Sequence, residues 1–147
     1  MSISEKIIFD LKDAMKKRDT IAVDALRLIK SQMGYKKIEK GEDLDDKDLT
    51  SILATLSKQW KDGIEQFERG DRQDLVVTET AKLEVLQRYL PKQLTDDELS
   101  RVVDDVIDEV GASSKADFGK AMQVVMERVR GQAEGAKVKE FVAAKLT

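Results

Sequence analysis

The apolar residues of segment 49–67 recur with the period of an α-helix, and this pattern constrains the fold more than any other feature. At 100° per residue they share about a third of the helix circumference: Leu49, Ile52, Leu53, Leu56, Trp60, Ile64 and Phe67. The stripe predicts a long helix with one buried face, ended by Gly70. Asp45 and Asp48, in the turn before it, have the spacing of a helix cap.

The same period recurs along nearly the whole chain, and no segment shows the two-residue alternation of a β-strand. We therefore predict an all-α protein with seven helices. Charged residues make up 37% of the chain and aromatic residues only 5%, which also favours helices with a large charged surface. We expect the second helix, apolar on several sides, to lie in the middle. In the first helix we expect the core to contain Ile7, Ile8, Leu11, Ala14 and Met15.

The segment "YLPKQLTDDEL" predicts a boundary between two domains. Pro91 disfavours a helical conformation at the preceding residue and has no backbone N–H to donate. Thr95 and Glu98 then have the spacing of a capping box that starts a new helix. With the boundary at residues 91–95, we predict a four-helix domain at 1–92, followed by a small three-helix bundle at 93–147. A unit as small as the second would be marginally stable alone.

Several classes of function are excluded or disfavoured by residues that the chain lacks. It has no cysteine and no histidine, which removes disulfides, thiolate nucleophiles, imidazole bases and Cys/His zinc sites. We identify no catalytic residues, no metal site and no cofactor, and expect no catalytic activity from the chain alone. No apolar run approaches the roughly 20 residues that span a membrane. We therefore expect a soluble, cytoplasmic protein that contacts neither membrane nor DNA.

The net charge of −3 conceals an uneven distribution. Residues 95–110 carry seven acids and one arginine, whereas residues 111–147 carry seven bases and four acids. Basic side chains beside glycines can contact phosphates, because glycine permits close approach to the backbone. The candidate nucleic-acid-binding residues are Lys120, Arg128, Arg130, Gly131, Lys137 and Lys139. The alternative is an ordinary solvated helix face.

Five segments in this order and spacing resemble the YqeY family over nearly the whole chain: "LKDAMKKRD", "LRLIK", "IEQFERGDRQDL", "YLPKQLTDDEL" and "GASSKADFGKAMQVVMERVRGQAEG". That family shares its C-terminal part with the tail of GatB, the tRNA-binding subunit of glutamine-dependent tRNA amidotransferase. The resemblance implies a helical, tRNA-binding module that assists an amidotransferase or an aminoacyl-tRNA synthetase. The family's label of carbon–nitrogen ligase with glutamine as amide donor applies by association only, because the catalytic parts of the amidotransferase lie outside these 147 residues.

Two departures from the family pattern bear on the first domain. Trp60 and Lys82 stand where a basic and an acidic residue are expected, which predicts that packing replaces a polar pair there. A competing hypothesis is a protein–protein adaptor without RNA contact, in which the long third helix and the acidic fifth helix dock a partner.

Overall fold

The computed structural model describes residues 1–146, and every regular element in that range is helical. The predicted all-α class and the number of α-helices are confirmed. None of these helices is both long enough and apolar enough to cross a membrane. In chain order the α-helices are α1 (Ile3–Lys17), α2 (Thr20–Lys40), α3 (Asp46–Arg69), α4 (Gln73–Gln87), α5 (Asp96–Val110), α6 (Phe118–Arg128) and α7 (Gly135–Lys145), with a 3-10 turn at Lys115–Asp117.

Contacts within the chain define two compact units, divided after Leu90. The first unit contains α1 to α4, and the second unit begins at Pro91 and contains α5 to α7. The division falls close to the proline that was expected to mark it. Whether residues 1–92 and 93–147 each fold alone stays a prediction, because contacts in the folded state do not measure independent stability.

Helix starts follow the predicted caps. The Asp45 carboxylate accepts a hydrogen bond from the Asp48 amide at 2.8 Å, and the Asp48 carboxylate accepts one from the Asp45 amide at 3.0 Å. Thr95 and Glu98 form the same reciprocal pair at the start of α5. Each of these two capping boxes gives hydrogen-bond partners to amide groups that the first turn of a helix leaves without them. Helices α3 and α5 therefore begin where the sequence predicts.

The core of the first unit is built around α2, which packs against α1, α3 and α4 and so lies in the middle as predicted. Two expectations for α1 are wrong, because Ile8 and Met15 are 38% and 50% exposed. They lie about 80° from the centre of the buried stripe, and no neighbouring helix covers that side fully. The buried residues of this core are Ile7, Leu11, Ala14, Ala22, Ala25, Leu26, Ile29, Leu49, Ile52, Leu53, Leu56, Val85 and Leu86.

The second unit has a core of its own, to which each of its three helices contributes one stripe. Met122 and Met126 are half-buried and pack against it. Its fully buried residues are Leu99, Val103, Val106, Ala121, Val125, Val129, Val138, Val142 and Leu146. This packing fixes the edges of α5, α6 and α7, which carry the charged residues singled out from the sequence.

Candidate nucleic-acid interface

The turn between α6 and α7 depends on Gly131, whose φ of +74° lies in the left-handed region that side chains disfavour. The Gln132 amide donates to the Val129 carbonyl at 2.7 Å and closes the turn. Arg130 therefore lies at the turn, next to a backbone position without a side chain. Gly119 lies in the first turn of α6 and is not part of this turn.

The segment that leads into α5 is held against this turn by three hydrogen bonds. The Leu94 amide donates to the Gln132 carbonyl at 2.8 Å, and the Gln93 side-chain amide donates to the Gly131 carbonyl at 2.7 Å. The Gln132 side chain donates to the Lys92 carbonyl at 3.3 Å. The exposed Lys92 thus lies beside the turn. Sequence reasoning missed it, because no periodic pattern links residues this far apart in the chain.

The acidic helix α5 is paired with the basic residues that follow it in sequence. The Arg128 guanidinium binds both carboxylate oxygens of Glu109, at 3.1 and 2.7 Å. Lys137 contacts a carboxylate near the start of α5, and the Lys145 ammonium lies 2.9 Å from one in its middle. The three ion pairs are Glu109–Arg128, Asp96–Lys137 and Asp104–Lys145.

Ion pairing shifts the pKa values of Glu109, Arg128 and Lys137 while leaving these side chains in contact with water. The hydrogen bond from Arg128 lowers the pKa of Glu109 below its ordinary value, and the same bond raises the pKa of Arg128. The hydrogen bond to Asp96 raises the pKa of Lys137. The side chains of Arg128 and Glu109 are 40% and 56% exposed, so solvent screens the attraction between them. The pairs therefore neutralise charge more than they stabilise the fold.

The six predicted site residues do not form one continuous face. Arg130 and Gly131 meet at the turn, whereas Arg128 and Lys137 are held by α5. Lys120 lies about 12 Å along the axis of α6 from Arg128. Lys137 and Lys139 point about 160° apart around α7.

Three of the predicted cations remain available to a ligand. Within residues 1–146, Lys120, Arg130 and Lys139 form no ion pair; the two lysines are exposed and the arginine is half-buried. Arg130 is the member of this set that lies at the turn beside Lys92. The turn is therefore the best-defined part of the candidate interface.

A polar cluster in the first unit corrects the prediction for Trp60 and Lys82. The Trp60 indole N–H donates to the Glu79 carboxylate at 2.8 Å, so this tryptophan keeps a polar link rather than replacing it by packing. The Lys82 ammonium lies 3.5 Å from Glu79 and 3.8 Å from Asp24. The cluster joins α2, α3 and α4, and its charged groups satisfy one another. We assign it a structural role.

The family model described as Yqey-like protein matches residues 4–146 of this chain. The chain belongs to the YqeY family. The match covers both compact units, as the resemblance of the five segments predicted.

Three of the curated relatives that this chain matches are each named "Altered inheritance of mitochondria protein 41, mitochondrial". The protein of Lachancea thermotolerans is 37% identical over 82 residues, which are 55% of this chain and 44% of that relative. The protein of Kluyveromyces lactis is 34% identical over 119 residues, 76% of this chain and 64% of the relative. The protein of Pyrenophora tritici-repentis is 30% identical over 148 residues, which are 92% of this chain and 78% of that relative. The chain thus spans 44% and 64% of the first two relatives.

The expected cytoplasmic location is wrong, because the relatives that this chain matches are named as mitochondrial proteins. The expectation was drawn from a charged surface and from the lack of a long apolar run. Those features are compatible with any aqueous compartment, so they cannot distinguish one from another.

Proposed function

We propose that this YqeY-family protein is a helical module that binds tRNA weakly through its second unit, in support of glutamine-dependent tRNA amidation or of aminoacylation. The observation that carries the proposal is the α6–α7 turn, where Arg130 and Gly131 are held beside Lys92 by hydrogen bonds. Arg and Lys side chains supply many of the contacts that proteins make to nucleic-acid phosphates.

The ion pairs with α5 limit the affinity that this surface can provide. Arg128 and Lys137 have carboxylate partners, which leaves four cations in or beside the predicted site: Lys92, Lys120, Arg130 and Lys139. Because these do not share one face, we expect two or three phosphate contacts at a time. Such contacts contribute about −2 to −3 to the slope of log affinity against log salt.

Filter binding of the purified protein to total tRNA, between about 50 and 200 mM salt, tests the proposal. The variant Lys120→Gln/Arg130→Gln/Lys139→Gln should lose retention and flatten the slope. The control Arg101→Gln/Lys115→Gln/Lys145→Gln loses the same charge in the same unit. It should keep both the retention of tRNA and the slope of the wild type. Absence of wild-type retention at the lowest salt, or equal losses in both variants, would contradict an RNA site at this edge.

The adaptor hypothesis keeps one specific observation in its favour. Phe9 and Val77, two apolar side chains of the first unit, are 59% and 71% exposed. The long third helix was expected to dock a partner, but its apolar stripe is buried in the core through residues such as Leu53. An adaptor would therefore use Phe9 and Val77. The adaptor would be favoured if a defined protein partner bound the wild type, if Phe9→Asp and Val77→Asp abolished that binding, and if the chain retained no tRNA.

A further inference from the structure

One face of α2 carries basic residues, and no acidic residue of α2 lies on it. Its members fall within about 100° of arc: Arg27, Lys30, Gly34, Lys37 and Ile38. All of them are exposed, Ile38 to 81%. The Lys37 ammonium lies 3.1 Å from the Asp43 carboxylate in the following loop, and that carboxylate is 92% exposed. Within residues 1–146, Arg27 and Lys30 form no ion pair. We name these five residues the α2 face.

Gly34 is the residue of the α2 face that the fold does not explain. Glycine is the least favourable residue in a helix interior apart from proline, and Gly34 lies inside a helix of 21 residues. A Cβ atom added there would meet no atom within 4 Å, and its φ is not in the left-handed region. Neither packing nor backbone conformation therefore requires glycine at this position. The same holds for Gly63 in α3, so the cations that flank Gly34 are what distinguish it.

The absence of a side chain leaves the backbone of α2 open between two cations. Lys30 lies one turn before Gly34 and Lys37 one turn after it on the same face. A partner that approaches the helix at Gly34 must therefore carry negative charge on both sides of the contact. The RNA backbone does so with a phosphate at every nucleotide, and it favours basic side chains around a close approach.

Tyr35 supports RNA over an acidic protein as the partner. Its ring is 66% exposed and lies about 60° around the helix beyond the nearest edge of the α2 face. Exposed aromatic rings beside basic residues stack on unpaired bases of RNA. An acidic peptide would use the charges but would have no base to stack.

We propose that the α2 face is a second RNA-contacting surface, which binds the phosphate backbone of tRNA around Gly34. The proposal rests on the tRNA binding proposed above and assigns part of it to the first unit. At Gly34, therefore, a residue that increases the stability of the helix should decrease the affinity for RNA. An alanine there favours the helix but blocks the closest approach of a phosphate.

The first experiment removes charge from the α2 face in the full chain and measures tRNA retention across salt. The variant Arg27→Gln/Lys30→Gln/Lys37→Gln should reduce the magnitude of the log–log slope by about 2, because Arg27 and Lys30 are unpaired within residues 1–146 while Lys37 already has a carboxylate partner. A control that removes three exposed cations of the first unit elsewhere, Lys47→Gln/Lys58→Gln/Arg88→Gln, should leave the slope unchanged.

The second experiment separates binding from stability with a pair of glycine variants. Gly34→Ala should raise the melting temperature by about 3–6 °C and weaken tRNA retention. Gly63→Ala is the matched control, because Gly63 also lies inside a helix and an added Cβ there also meets no atom within 4 Å. It should raise the melting temperature and leave retention unchanged.

The outcomes distinguish this inference from the function on which it rests. No retention of tRNA by the wild-type chain refutes both. If the wild type binds tRNA and the α2-face variant keeps its slope, the α2 face is refuted while the site on the second unit stands. Equal losses of retention in Gly34→Ala and Gly63→Ala would also refute it. If polyglutamate of matched charge displaced tRNA as well as unlabelled tRNA does, the surface would bind acidic peptides and the assignment to RNA would be wrong.

Discussion

Neutralising two carboxylates on α5 is expected to strengthen tRNA binding, although both lie outside the proposed contacts. Asp96→Asn and Glu109→Gln remove the partners of Lys137 and Arg128 while preserving side-chain shape. Two cations are then free to meet phosphates instead of carboxylates. The net charge changes from −3 to −1, because −3 + 2 = −1.

The size of the effect follows from the number of phosphates gained. Each additional contact adds about −0.9 to the log–log slope on duplex RNA or DNA, so two contacts should steepen it by about 1.8. If the electrostatic term vanishes near 1 M salt, the gain at 0.1 M is about 60-fold in affinity. The melting temperature should change little, because the side chains of Arg128 and Glu109 are both well exposed.

Filter binding of the double variant and the wild type across the same salt series measures this effect. A control, Asp97→Asn/Asp108→Asn, changes the net charge equally on the same helix without releasing a cation from an ion pair. If the control gained as much affinity and slope as the double variant, net charge alone would explain the result. The reasoning from specific ion pairs would then be refuted.

Three further predictions concern the first unit. Leu53→Ala, at a fully buried position, should lower the free energy of unfolding by about 2–5 kcal/mol; if the units fold separately, denaturant titration should show only the first unit's transition moving. Burial and the hydrogen bond to Asp10 raise the pKa of Tyr89, so its hydroxyl ionises at lower pH in the unfolded chain than in the folded one. The stability of the fold should therefore fall as the pH rises above about 10, and thermal melts of Tyr89→Phe should lack this loss. Trp60→Phe should cost about 1–3 kcal/mol in denaturant titration, because it leaves the Glu79 carboxylate without its indole donor.

Local features of the fold could be predicted from the sequence because their causes lie within one or two turns of helix. The caps at Asp45 and Thr95 depend on residues three positions apart, and both form as predicted. The exposure of Met15 could not be predicted, because it depends on which side of α1 its neighbours cover. Periodicity gives the centre of a buried stripe more reliably than its edges.

The candidate site could be predicted less well, because its geometry depends on contacts distant in sequence. The sequence identifies the cations of α6 and α7 but not their partners: Glu109 and Arg128 are 19 residues apart, and Gln93 and Gly131 are 38 apart. Only the folded chain shows that some of the predicted phosphate contacts are neutralised. It also shows that Lys92, which was not among them, lies at the turn.

The pairing of α5 with the basic residues leads to a ranking of variants that net charge cannot produce. The Glu109 carboxylate competes with RNA phosphates for Arg128, so neutralising it adds a phosphate contact that the wild type lacks. The salt slope should then be steepest when α5 is neutralised, intermediate in the wild type, and shallowest when Lys120, Arg130 and Lys139 are removed. The control Arg101→Gln/Lys115→Gln/Lys145→Gln, whose Lys145 is ion-paired with Asp104, should match the wild type, although its net charge is more negative. A slope that followed net charge through this series would mean that the individual positions of the cations do not matter.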